Sequence, residues 1–147
     1  MSRLLEDGKM TYRLTFSKSH KYDPGDNSIT VPVTLSVGQE VIDFPAKIDT
    51  GSVFCIFQRE YGEALSLNIE SGIPERVGTV TGSSFQTYGH EVSLSVLGFQ
   101  FDVIVYFASD YGFRRNVLGR RGWIQQVRLG IIDYDGELYV SKYDDQI

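Results

Sequence analysis

The chain has 147 residues, 41% of them apolar and 22% charged, with a formal net charge of −5. That is the length of one ordinary domain with a single sizeable core, and the acidic balance argues against non-specific nucleic-acid binding, which needs Lys and Arg to neutralise phosphates. No apolar run approaches the ~20 residues that cross a bilayer, and the polar start Met1-Ser2-Arg3-Leu4-Leu5-Glu6-Asp7 lacks the apolar centre of a signal peptide, so no membrane association and a cytoplasmic location are expected.

Residues 11–18 alternate, with Tyr12, Leu14 and Phe16 on one face, and predict a half-buried strand. Residues 19–27 carry Asp23-Pro24-Gly25-Asp26-Asn27 and predict a loop. Residues 28–37 alternate again through Ile29, Val31, Val33, Leu35 and Val37, and Gly38-Gln39 closes a hairpin into residues 40–48. Pro32 removes a backbone donor there, which predicts an edge position or a bulge. After Asp49-Thr50-Gly51-Ser52, residues 53–57 predict another strand. Within it Cys55, the only cysteine, reads as a small buried apolar residue; an intrachain disulfide and a multi-thiolate zinc site are excluded.

Residues 59–67 predict a short helix, with Tyr61, Ala64 and Leu65 facing inward and Gly62 within it. Residues 76–81 and 87–96 predict a hairpin around Gly82-Ser83-Ser84. Leu97-Gly98-Phe99 then turns the chain into residues 100–107, whose apolar residues on both sides predict burial on both faces. Residues 108–115 read as a polar loop, 120–126 as a helix of one or two turns, and 127–132 with 137–141 as a final hairpin around Tyr134-Asp135-Gly136. Many short strands with regular turns predict an all-β, closed or nearly closed barrel with one or two short helices. Arg114, Arg115, Arg120, Arg121 and Arg128 form a basic cluster and Asp133, Asp135, Glu137, Asp144 and Asp145 an acidic end, read as solvated surface with partial pairing. His20 and His90 lack metal-ligand spacing, so no metal and no cofactor are expected.

Asp49-Thr50-Gly51-Ser52, between two apolar stretches, suits a carboxylate that acts as acid or base. Gly51 lets the backbone approach closely and present an N–H. Ser52 is expected to donate a hydrogen bond to the carboxylate, which favours the ionised form and an acidic optimum. The same four residues also make an ordinary turn. The motif occurs once. Hydrolysis of a peptide bond without a metal or a covalent intermediate would need a water held between two carboxyl groups, for which the simplest completion is Asp49 of one protomer facing Asp49 of another across a twofold axis.

Phe44-Pro45-Ala46-Lys47-Ile48-Asp49-Thr50-Gly51-Ser52, the segment 78–89, Val117-Leu118-Gly119-Arg120-Arg121-Gly122-Trp123-Ile124 and Ile131-Ile132-Asp133-Tyr134, in that order, resemble a retropepsin-like aspartic protease. The resemblance covers residues 29–140 of a single domain spanning 1–147, and residues 1–28 form an N-terminal extension without a match. Lys47 stands where the family has an apolar or small residue. The resemblance implies the acid-protease closed barrel, active as a twofold homodimer, and an aspartic endopeptidase acting on an extended peptide with bulky apolar residues at the cut.

In that frame Asp49 is catalytic, Thr50 locks the two turns across the dimer, and Gly51 and Ser52 support the carboxylate. Val117, Leu118 and Gly119 support the turn from below, and Arg120 buttresses the turn or the interface. Thr81, Gly82, Ser83, Ser84, Phe85 and Tyr88 belong to the flap and contact substrate. Two other readings stay open: an acid-protease-fold dimerisation or peptide-binding module with weak or no catalysis, and an unrelated β-barrel in which residues 49–52 are only a turn.

Overall fold

The computed structural model describes residues 2–4 and 8–146, with side chains from residue 8 onward. Alternation decides where the long strands run. β1 (Ser2–Leu4) and β2 (Met10–Tyr12) pair with each other, and β3 (Lys18–Lys21) joins a sheet formed much later in the chain. β4 (Thr30–Val37) and β5 (Glu40–Ile48) make an antiparallel hairpin registered from Thr30↔Lys47 to Val37↔Glu40, with Val31, Val33, Leu35, Phe44, Ala46 and Ile48 buried on the shared face. Gly38, at φ +58°, supplies the left-handed backbone its two-residue turn requires. Pro32 faces Pro45, so that pair contributes no N–H, and it lies just outside the 33–36 segment through which β4 meets β8; the expected edge position is found.

β6 (Ile56–Phe57) precedes α1 (Arg59–Ala64). β7 (Ile73–Gly78), β8 (Ser84–Val96) and β9 (Phe99–Ala108) follow as an antiparallel meander, and β10 (Val117–Leu118) is a two-residue insertion from the C-terminal third. The seven-stranded sheet runs β4-β5-β10-β6-β9-β8-β7, and β8 also pairs with β4, so the succession of pairings returns to its first strand. β11 (Val127–Ile132) and β12 (Glu137–Lys142) form the last hairpin, in a three-stranded sheet ordered β11-β12-β3. Leu138 and Val140 of that sheet join the same core as Leu94, Val105, Phe107, Leu118 and Trp123. The described chain is mostly β with one α-helix, and no helix among the described residues is long and apolar enough to cross a membrane.

Several expectations are corrected. The strand expected over 11–18 is split: residues 13–16 have no regular structure, and of the expected face Tyr12 and Leu14 are 80% and 58% exposed while Phe16 packs against the Tyr139 ring at 5.9 Å. Part of the loop expected over 19–27 is strand, since β3 pairs with Glu137 to Val140 of β12. Residues 53–57 yield only β6 and an isolated bridge at Phe54. β9 buries mainly one face: Val103, Val105 and Phe107 are inside, whereas on the other Ile104 is 42% exposed and Tyr106 half-buried, with Ala108 buried only at the strand end.

In α1, Tyr61 stacks on Phe44 at 4.5 Å and Leu65, just past the helix, is buried as expected, but Ala64 points outward. The helix expected over 120–126 is only a 3-10 turn at Ile124–Gln126, because Gly122 at φ +105° is incompatible with a helical run.

Candidate active site

β5 and β6 flank β10, so the connection between them must pass over the end of a strand that comes from far along the chain. Val117 and Leu118 run parallel to Lys47 and Ile48, and Val117 also pairs with Ile56. The Asp49 N–H donates to the Leu118 carbonyl at 3.0 Å, and the Ser52 N–H closes the turn onto the Asp49 carbonyl at 3.1 Å. The N–H groups of Arg120 and Arg121 reach the carbonyls of Ser52 and Val53 at 2.9 and 2.7 Å. The turn is therefore tied by backbone bonds to the segment that the sequence picked out about seventy residues away.

Gly119 is required by contact. A Cβ there would fall 2.1 Å from the Phe54 carbonyl oxygen and 2.8 Å from that of Ser52, closer than any side chain tolerates. Beneath it, Cys55 is fully buried, and its Sγ accepts the Gly119 N–H at 3.4 Å. Burial pushes the thiol up to about 12, against a smaller lowering by the Gly119 hydrogen bond. Asn116 straps the neighbouring elements: its carbonyl accepts from the Lys47 N–H at 2.9 Å and its Oδ1 from the Gln58 N–H at 3.1 Å.

The Asp49 carboxyl is half-buried, and its Oδ1 accepts the Gly51 N–H at 3.0 Å. The bond expected from Ser52 to this carboxylate is not made. Ser52 Oγ donates instead to the Phe54 carbonyl at 2.7 Å, the local side-chain-to-backbone bond that serines make in turns. Thr50 is exposed at the apex of the turn, and the Arg120 side chain is exposed beside it.

Asp49, Gly51 and Ser52 line a cleft of about 350 Å³. Phe54, Ile56 and Val117 give it an apolar surface, and Val77, Thr79, Val80 and Phe85 contribute from the β7–β8 hairpin. Phe113 completes the apolar part and stacks on Phe85 at 4.9 Å and 24°, joining the hairpin to the loop ahead of β10. Arg76 and Arg115 bring positive charge to the same lining. Arg121 lies outside it, with its guanidinium 5.8 Å from the Phe54 ring centroid.

The expected flap residues separate into groups. Phe85 faces the cleft. Thr81, Gly82 and Ser83 form the exposed hairpin tip, where Thr79 Oγ1 lies 2.9 Å from Thr81 Oγ1 and 2.7 Å from Ser83 Oγ, and Gly82 takes φ +84°. The tip is thus organised by hydroxyls around one glycine. Ser84 starts β8 and its Oγ accepts from Arg76 Nη2 at 3.1 Å. Tyr88 lies farther along β8, half-buried against the core and outside the cleft. His90 is also structural: its Nε2 donates to the Ile69 carbonyl at 2.9 Å.

Arg76, Phe113 and Arg115 escaped the sequence reading as site residues. For Phe113 and Arg115 a signal existed, since they immediately precede the Asn116-Val117-Leu118 segment. Arg76 offered none. Among the described residues no cluster of His, Cys, Asp and Glu has a metal-binding arrangement.

No protein-family model matches the sequence, and no curated protein does. Among solved structures the chain is similar to the EIAV protease complexed with the inhibitor HBY-793, with a TM-score of 0.50 and 17% identity over 65% of this chain and 85% of that one. The fold of this chain is therefore retropepsin-like.

Proposed function

We propose that the chain is an aspartic endopeptidase whose active site forms between two copies, with Asp49 of each as the catalytic pair. The observation that carries this reading is the Asp49 turn itself. Its carboxyl is held by the Gly51 N–H at 3.0 Å, its backbone is fixed to Leu118 at 3.0 Å, and it opens into a cleft that the β7–β8 hairpin also lines. The return of the strand pairings to β4 supports a closed barrel as the scaffold.

Two carboxyl groups brought within about 3 Å cannot both ionise easily, so they share a proton and titrate as a coupled pair. The ionised Asp49 takes a proton from water as the water oxygen bonds to the peptide carbonyl carbon. The protonated Asp49 of the other copy gives its proton to the carbonyl oxygen. Collapse of the tetrahedral intermediate then breaks the C–N bond, the amine leaves with a proton, and the pair returns to its starting state. An extended peptide lies between the turn and the hairpin, where its apolar side chains meet Ile56, Phe85, Phe113 and Val117, and the hairpin excludes bulk water.

Asp49→Asn is the test. Cleavage of a diverse peptide library is expected to fall at least about a hundredfold, the usual scale for losing an acid–base group, with fold and mass in solution unchanged. Near-wild-type turnover removes Asp49 from the mechanism. Absence of cleavage by the wild-type dimer between about pH 3 and 7 favours a peptide-binding module on the same fold.

A further inference from the structure

The cleft carries charge that peptide hydrolysis alone does not need. Arg76 and Arg115 both line it, while Asp49 is the only acidic lining residue among those described. Neither guanidinium is neutralised by a carboxylate among the described residues. Arg76 contacts only the Ser84 hydroxyl at 3.1 and 3.3 Å and the Gln86 amide oxygen at 3.4 Å, which are long bonds to neutral acceptors. Arg115 has no hydrogen-bond or ion-pair partner among them and also borders a second depression lined by Lys47 and Arg114. Arg59, by contrast, is held by Glu70 at 2.5 Å and by Glu63 at 3.3 Å. The overall charge is −5, so this positive lining is a local reversal.

Building on the protease reading, we propose that the cleft selects peptides bearing an acidic side chain close to the bond that is cut, with Arg115 as the principal specificity-determining residue and Arg76 as its companion. The apolar lining accepts a bulky side chain at the scissile bond. The two guanidiniums accept an Asp or Glu carboxylate one or two positions away, through charge-assisted bonds that arginine makes in a fork. Arg76 holds its carboxylate from the hairpin side, so the same contact draws the hairpin over the peptide. A lysine at that position meets two like charges and is rejected.

The experiment separates recognition from chemistry. Fluorescein-labelled octapeptides with a central Phe-Leu pair, identical except for Glu, Gln or Lys at one flanking position, are titrated against the Asp49→Asn protein, and the unlabelled set is cleaved by the Asp49-intact protein. The Glu peptide is expected to bind about five- to tenfold more tightly than the Gln peptide at low salt, with the preference shrinking as salt rises. Arg115→Gln is expected to abolish most of the preference and Arg115→Glu to invert it toward Lys, with circular dichroism unchanged in both. Equal binding of all three peptides, or a preference that survives Arg115→Gln combined with Arg76→Gln, overturns the proposal. Charge-selective binding without any cleavage by the intact protein leaves the specificity standing and removes the protease reading. Cleavage without charge preference does the reverse.

Discussion

The N–H of Asp49 donates to the carbonyl of Leu118 at 3.0 Å, and the next residue, Gly119, leaves no space between that carbonyl's strand and Phe54. The two halves of the sequence motif are thus one object, a turn laid over a strand end. Gly119→Ala puts a methyl group where the Phe54 carbonyl oxygen stands. It is expected to destabilise the fold by about 1–3 kcal/mol or more and to abolish activity, because relief requires moving the Asp49 turn. Thermal denaturation with peptide cleavage checks both effects.

Phe85 and Phe113 tie the hairpin to the loop ahead of β10 through one stacked pair. Phe113→Ala is expected to remove about 0.5–1.5 kcal/mol of that attachment. Amide hydrogen exchange should rise in residues 78–86 while β9 stays protected, and KM should increase more than kcat falls. Unchanged exchange in the hairpin would show that the stack does not anchor it.

Acid stability follows from two carboxylates. Hydrogen bonds from Arg59 hold Glu70 below its ordinary 4.5, and the Tyr139 hydroxyl and Lys21 hold Glu137 below the same value. For such groups the stabilisation is complete above the unfolded-state value and is lost as pH falls through the lower folded-state value. The Tm is therefore expected to hold at neutral pH and to drop below 4.5. Glu70→Gln should lower the plateau and flatten the acid limb, which a Tm series across pH reads directly.

Cys55 offers a native probe. Its burial and raised pKa predict negligible reaction with a thiol reagent in the folded protein and rapid reaction on unfolding. The sign at high pH is opposite to that of the carboxylates: stability is intact below the ordinary thiol value of 9.0 and declines as pH rises toward about 12, since only the unfolded chain ionises easily there. Fast labelling under native conditions would contradict the buried position beneath Gly119.

Much of this architecture is legible in the sequence where one period dominates. β5 spans the expected 40–48, β4 follows the alternation of Val31, Val33 and Leu35 but starts two residues late, at Thr30, and Gly38 marks their turn. Legibility fails where a partner decides. Residues 13–16 alternate as a strand would, yet no strand among the described residues pairs with them and only Phe16 packs inward, against Tyr139, while β3 exists only because β12 is there to pair with it.

At the candidate site, the association of the Asp49 turn with the Leu118-Gly119 segment was readable because a short motif fixes backbone geometry. Ser52 misleads because a hydroxyl has several acceptors within reach and takes the Phe54 carbonyl. Arg76 was invisible because its place in the cleft comes from the fold of the β7–β8 hairpin and from no local pattern. Gly62, which the sequence places within a short helix, is there because a Cβ would fall 2.6 Å from Ile69 and 2.9 Å from Phe107.

The central claim is that one active site needs Asp49 from two chains. Mixing equal amounts of wild-type and Asp49→Asn protein under subunit exchange tests it most directly, with cleavage measured per wild-type chain. Random pairing places about half of the wild-type chains in mixed dimers, so the account predicts that activity per wild-type chain falls to about half, and lower still with excess mutant. Activity per wild-type chain that stays constant at every ratio would contradict it.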